Sequence, residues 1–150
     1  MTELMKLQQV VEACNLLMQD IGCDFVGVAI QNEIGPDIKW HYALGNLNDK
    51  YKRITVRYGK GIAGKVISSG SPLMIEDFPN HILGKTIDYP IMLAEKLISS
   101  YGVPLFFNAV PKGVLVVGKR KQHYFPESEQ EMVKKAAVKL EVILKDHIDL

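Results

Sequence analysis

The sequence predicts an α+β domain, with one antiparallel sheet of six short strands, an N-terminal and a C-terminal helix on one face, and a ligand pocket on the other. Three observations predict it. Apolar residues recur at helical spacing at both ends of the chain. Apolar runs bounded by turn residues fill the middle, and a glycine-rich turn there leads into a short helix and another strand.

Leu4, Leu7, Val11, Cys14, Leu17 and Met18 fall at helical spacing with Glu3, Lys6, Gln8 and Asn15 between them, which predicts an amphipathic helix from Thr2 to Asp20. Thr2 suits the N-cap and Gly22 the stop. Phe25, Val26, Val28, Ala29 and Ile30 read as a buried strand. Gly35-Pro36-Asp37 then turns the chain into a second strand through Lys39, Trp40, His41 and Tyr42, making an antiparallel hairpin. Further strands are expected at Ile54–Arg57, Leu73–Ile75, Val103–Asn108 and Val114–Gly118, with Pro111-Lys112-Gly113 as the turn of the last hairpin. Tyr124-Phe125-Pro126-Glu127-Ser128-Glu129 places a proline and acids at a helix start, and Met132, Val133, Ala136, Leu140, Ile143 and Leu144 continue it as a long amphipathic helix. The apolar stripes of the two terminal helices either cover the sheet or leave a surface for a dimerisation bundle.

A length of 150 residues fits a single domain, residues 1–150, with a real core. Hydrophobic residues at 47% and charged residues at 23% give an ordinary globular balance, and a net charge of +1 offers no basic field for nucleic acid or anionic membranes. No apolar run approaches a membrane span, and Met1-Thr-Glu-Leu lacks the features of a signal peptide, so a cytoplasmic protein is expected. Cys14 and Cys23, the only cysteines, read as reduced structural thiols; a zinc site would need ligands that are not there.

The stretch Arg57-Tyr-Gly-Lys-Gly-Ile-Ala-Gly-Lys-Val-Ile-Ser-Ser-Gly-Ser-Pro-Leu-Met-Ile-Glu-Asp-Phe78 is the most informative. Gly59, Gly61 and Gly64 permit torsions and close approaches that let the amides around Ile62 and Ala63 point outward at a helix start, where anions are attracted. Taken alone, such a turn more commonly leads into an ordinary packed helix. Gly59, Gly61, Gly64, Gly70, Pro72 and Asp77 together resemble the signature of the GAF family of small-molecule sensor domains, and the resemblance covers nearly the whole chain.

A second segment, Thr86-Ile87-Asp88-Tyr89-Pro90-Ile91-Met92-Leu93-Ala94-Glu95-Lys96-Leu97, puts Pro90 in the first turn of another helix and exposes the amide of Ile91. In a GAF-like fold both helix starts lie on one side of the sheet and can face one ligand. Trp40, Ile62, Tyr89, Pro90 and Ile91 are the residues available as walls, and Trp40 and Tyr89 each add one neutral donor to an apolar body. A dry site with neutral donors favours a weakly hydrated monoanion over sulfate or phosphate, which call for Arg or Lys, and nitrate is the natural candidate.

Trp40, Gly-Lys-Gly-Ile-Ala-Gly at 59–64 and Asp-Tyr-Pro-Ile at 88–91 are more narrowly similar to the NreA family of staphylococcal GAF nitrate receptors. That resemblance implies nitrate held chiefly by main-chain amides of Ile62, Ala63 and Ile91, in a pocket lined by Trp40, Tyr89 and Pro90, with no cofactor and no metal. It also implies an NreB-like sensor histidine kinase and an NreC-like response regulator as partners. Independently, a chain with no output module of its own must report in trans. The expectation is that the empty protein restrains the kinase and nitrate weakens that restraint.

The rival readings are weaker. A free methionine sulfoxide reductase shares the GAF fold but needs cysteines around its pocket, and no cysteine follows position 23. For a cyclic-nucleotide sensor the expected walls are too small and apolar. His41, His81, His123 and His147 are scattered singly, which suits packing or surface roles better than haem or bilin attachment, and no ligand set for nitrate reduction is present. Glu95 beside Lys96 reads as a helix-surface pair and Asp77 as a loop anchor. The segment 78–84 is either a lid or a long connection.

Overall fold

The computed structural model describes residues 2–145 and has the expected α+β architecture. Helix α1 (Glu3–Ile21) starts where the Thr2 hydroxyl accepts the Met5 amide at 3.1 Å and stops at Gly22, whose φ of 71° is left-handed. The strands are β1 (Phe25–Gln31), β2 (Asp37–Leu44), β3 (Thr55–Arg57), β4 (Leu73–Ile75), β5 (Ser99–Phe107) and β6 (Val110–Lys119). They form one sheet in the order β3-β2-β1-β6-β5-β4, with every neighbouring pair antiparallel. Helix α2 (Gly61–Ser69) follows β3, the short α3 (Pro90–Ala94) precedes β5, and α4 (Glu127–Leu144) closes the fold with Glu127 and Glu129 in its first turn.

Strand alternation divides the core in two. On one face Val10, Ala13, Cys14, Leu17 and Ile21 of α1 and Val133, Ala137, Leu140 and Leu144 of α4 pack on Val26, Val28, Tyr101, Val103, Leu105, Leu115 and Val117 of the sheet. On the other, α2 and α3 cover Phe25, Ala29, Ile38, Trp40, Val56, Val114 and Val116. The first and last helices therefore share one face, and the loops that bear the glycine-rich turn share the other. No helix among the described residues is long and apolar enough to cross a membrane.

Two expectations are corrected. The inward stripe of α1 is rotated from the expected one: Leu4 (65% exposed), Leu7 and Val11 lie outside it, while Val10, Ala13 and Ile21 lie within. Both stripes have helical spacing, so periodicity alone could not choose between them. Pro111-Lys112-Gly113 is not the last turn but part of β6; the turn is Asn108-Ala109, with φ of 52° and 64°, the left-handed pair that a two-residue hairpin requires. Pro111 is tolerated within the strand because the register shifts between Leu105 and Phe106, opposite it. His147 lies outside the described residues.

Candidate functional site

The glycine-rich turn is closed by three backbone hydrogen bonds: Lys60 N to Arg57 O (2.9 Å), Gly64 N to Lys60 O (2.9 Å) and Gly59 N to Gly64 O (3.0 Å). A side chain at Gly64 would put its Cβ 2.4 Å from Arg57 O, so only glycine lets the helix start pack this close to β3. The Gly64 amide closes the first turn of α2, which leaves the amides of Gly61, Ile62 and Ala63 ahead of it at the positive end of the helix. In α3, Pro90 occupies the first position and Leu93 N reaches back to Tyr89 O at 3.2 Å, leaving the Ile91 amide in the same open situation.

The two helix starts meet. Gly61 has a φ of 65°, and a Cβ built on it would fall 2.6 Å from Asp88 O and 3.9 Å from Tyr89 Cα. The backbone that opens α2 thus lies against the backbone that opens α3. Trp40, Ile62, Ala63, Tyr89 and Ile91 all belong to the apolar cluster on this face, each no more than 4% exposed, and Pro90 sits half-buried at its margin. Ile62 reaches across to β5, where its Cδ1 would lie 3.4 Å from a Cβ at Gly102. Phe25 meets the Trp40 ring edge-on, with centroids 6.4 Å apart.

The two neutral donors differ. Trp40 Nε1 is buried and has no hydrogen-bond partner, whereas the Tyr89 hydroxyl donates to Leu83 O. An indole N–H withdrawn from water without an acceptor is an uncompensated donor. Tyr89 is instead committed to the 78–84 segment, and burial, followed by the nearby Asp88, raises its phenol above the usual pKa. Phe78 packs against that ring at a tilt of 57°, with centroids 5.8 Å apart, and Tyr89 also lines a cavity of about 390 Å³ between β4 and the segment, with Leu73, Ile75, Asn80, His81, Ile82 and Leu83.

Sequence reasoning misread Glu95. It is not a surface partner of Lys96: α3 ends at Ala94, Lys96 turns away with a φ of 54°, and Glu95 is wholly buried. Its Oε1 accepts from Leu47 N at 2.8 Å and Arg120 Nη2 at 3.0 Å, while its carbonyl accepts Arg120 Nε at 2.9 Å. Arg120 lies 25 residues away on the far side of two strands, so no local pattern signals the pair. Asp77 anchors its loop, its Oδ2 accepting from Asn80 Nδ2 at 3.2 Å and its carbonyl from the amides of Asn80 and His81. Among the described residues no three His, Cys, Asp or Glu side chains group as a metal set. Cys14 and Cys23 are unpaired and buried on the helical face, across the sheet from the site.

Comparison with known proteins gives the family and the fold. A family model described as GAF domain matches residues 6–145. A structure of Staphylococcus aureus NreA mutated in its nitrate-binding site is 32% identical, with a TM-score of 0.76 over 84% of this chain and 94% of that one. A hypothetical protein from S. aureus is 36% identical, with a TM-score of 0.69 over 77% of this chain and 96% of that one. Free methionine-R-sulfoxide reductase from Neisseria meningitidis, solved with its substrate, is 21% identical, with a TM-score of 0.72 over 91% and 78%, a likeness of fold alone. No curated protein sequence matches.

Proposed function

Because this chain belongs to the GAF domain family, we propose that it is a nitrate receptor that signals in trans rather than an enzyme. The observation that carries this reading is the buried, unpartnered Trp40 Nε1 within the same apolar cluster as the helix starts that present the Ile62, Ala63 and Ile91 amides. Nitrate, held by those amides and the indole donor, is a planar monoanion that loses little hydration on entering such a site. Tyr89 and Pro90 complete the wall. The side chains expected to line the helix starts, Trp40, Ile62, Tyr89, Pro90 and Ile91, are uncharged, which disfavours sulfate and phosphate. The 32% identity to a protein with a nitrate-binding site supports the same ligand.

In this reading the empty, cytoplasmic receptor restrains a sensor histidine kinase of the NreB type, and nitrate, by binding the unrestraining form more tightly, releases the kinase to its NreC-type response regulator. The control falls on nitrate respiration or assimilation. Exposed Leu4, Leu7, Val11 and Leu16 on α1 and Val138 and Val142 on α4 support a homodimer through the helical face. A reductase mechanism of the methionine sulfoxide type is disfavoured because Cys14 and Cys23 lie across the sheet, with burial pushing their thiols up to about 12 and about 11, far from a reactive thiolate.

Isothermal titration of nitrate into the protein in a low-halide buffer, with sulfate and methionine sulfoxide in parallel, tests the reading. One-site nitrate binding without a sulfate response is expected. No nitrate heat, or thiol-dependent turnover of methionine sulfoxide, overturns it.

A further inference from the structure

We propose that the sheet edge formed by β3 and the 3-10 turn before it, Lys50–Arg53, is a docking surface for an acidic segment of a partner protein, and that nitrate binding at the adjacent turn changes its affinity. The second half of this proposal rests on the receptor reading; the first does not.

The net charge of +1 conceals a strongly uneven distribution. Lys50, Lys52, Arg53, Arg57, Lys60 and Lys65 fall in one stretch, and no Asp or Glu occurs between Asp49 and Glu76. These six of the 18 lysines and arginines leave twelve against 17 carboxylates elsewhere, so the segment carries +6 and the rest of the chain −5. All but Lys65 are exposed. The ion pairs among the described residues involve none of the six. Lys65 reaches only the Gly59 carbonyl at 3.4 Å, and Lys52 lies over the Tyr51 ring at 6.0 Å.

The fold gathers the charge. β3 is the outermost strand, and register sets Thr55 against Lys39 and Arg57 against Asp37, so Lys39, Thr55 and Arg57 share a face with Asp37, and Arg53 ends the 3-10 turn just before the strand. The local acids are Asp37, Glu33 and Asp49, none of them in an ion pair with this group. Tyr58, 53% exposed, adds an aromatic platform. Charged residues also keep sheet edges from pairing with one another, but a three-residue strand needs one or two for that, and Lys50, Lys52 and Lys60 stand outside it. A nucleic acid is the poorer occupant: the sequence pI is 7.7, the remaining surface is anionic, and the edge spans too short a length to neutralise many phosphates.

The same edge leads directly into the site. Lys60 is the N-cap of α2, its amide bonds Arg57 O, and Gly64 packs on that carbonyl, so a ligand on the Ile62 and Ala63 amides acts one residue pair from the basic edge.

Fluorescence anisotropy with a labelled Glu/Asp-rich peptide tests this, alongside a DNA duplex of equal charge, each with and without saturating nitrate. The proteins are the wild type, the triple variant Lys52→Glu, Arg53→Glu, Arg57→Glu, a neutral Gln counterpart, and a control triple variant Lys134→Glu, Lys135→Glu, Lys139→Glu on α4. The peptide is expected to bind the wild type and the control alike, to weaken about tenfold or more in the edge variants, and to weaken with salt. Nitrate is expected to shift the wild-type affinity by about fivefold. Equal loss in the control, no loss in the edge variants, no peptide binding, or tighter binding of the duplex overturns the docking surface. Peptide binding untouched by nitrate in a protein that titrates nitrate overturns the coupling alone, whereas absence of nitrate heat defeats the receptor reading and leaves the docking result standing.

Discussion

The wholly buried Glu95 and the partly exposed Arg120 form an ion pair at 3.0 Å that ties the end of α3 to the end of β6, and the same guanidinium reaches Gly45 O at 2.9 Å. Three chain segments therefore meet on one carboxylate and one guanidinium. Because α3 is a single short turn, it has little helical stability of its own and holds its place through such anchors. Glu95→Ala would remove the carboxylate that accepts from Arg120 Nη2 and Leu47 N, and urea unfolding is expected to register a loss of about 3 kcal/mol, at the low end for a broken buried pair because Arg120 remains partly in water and keeps the Glu95 and Gly45 carbonyls. Glu95→Gln, which keeps an acceptor, should lose less; equal losses would mean that the anchor depends on the charge alone and that a neutral acceptor contributes nothing.

Gly61 joins the two halves of the site. Gly61→Ala places a methyl group 2.6 Å from Asp88 O on a backbone with a φ of 65°, so α2 and the 88–89 segment must separate. The left-handed conformation alone costs about 1–2 kcal/mol in a residue with a Cβ. The expected outcome is a lower unfolding midpoint together with loss of nitrate binding by titration calorimetry. Full nitrate affinity in this variant would show that the helix starts need not touch.

The sequence reveals the architecture here more readily than the chemistry. Six strands and two terminal helices are legible because each carries its own period or turn residues, and the Gly61 turn is legible because Gly59, Gly61 and Gly64 have few other uses so close together. The wrong stripe on α1 and the misplaced last turn arise where two local signals compete, Leu4-Leu7-Val11 against Val10-Ala13-Leu17, and Pro111-Gly113 against Asn108-Ala109. Glu95 could not be found at all, since its burial depends on Arg120 and Leu47, which only the tertiary fold brings near.

Trp40→Phe removes the unpartnered indole N–H and keeps an aromatic body against Phe25. A hydrogen bond to a charged ligand contributes about 1.5–3 kcal/mol, so nitrate affinity should fall about tenfold or more while the ligand-free protein unfolds at nearly its original midpoint. Unchanged affinity would place the anion away from Trp40.

Tyr89→Phe separates wall from latch. Its hydroxyl donates to Leu83 O, so the variant keeps the ring against Phe78 and frees the 78–84 segment above the adjacent cavity. Stopped-flow tryptophan fluorescence should show faster nitrate entry and faster release, with little change in the dissociation constant. A large loss of affinity with unchanged rates would instead make the hydroxyl a direct donor to nitrate.

Alkaline pH probes the other face of the sheet. Burial holds the thiol of Cys14 at about 12 and that of Cys23 at about 11, against an ordinary value of 9.0. Both are therefore protonated in the folded chain at a pH where they ionise in the unfolded one. Their contribution to stability is complete below pH 9 and is lost as pH rises through about 11 and about 12, because the unfolded chain releases protons first. Urea midpoints should fall across this window with a slope approaching about 1.4 kcal/mol per thiol per pH unit, and Cys14→Ala with Cys23→Ala should flatten the fall. The half-buried Tyr42 and the buried Tyr89 and Tyr101 also have raised pKa values and add a decline of the same sign that the double variant retains. At pH 8 neither thiol should react with a disulfide reagent until urea unfolds the chain; rapid reaction of the native protein would mean that the helical face opens far more readily than its packing implies.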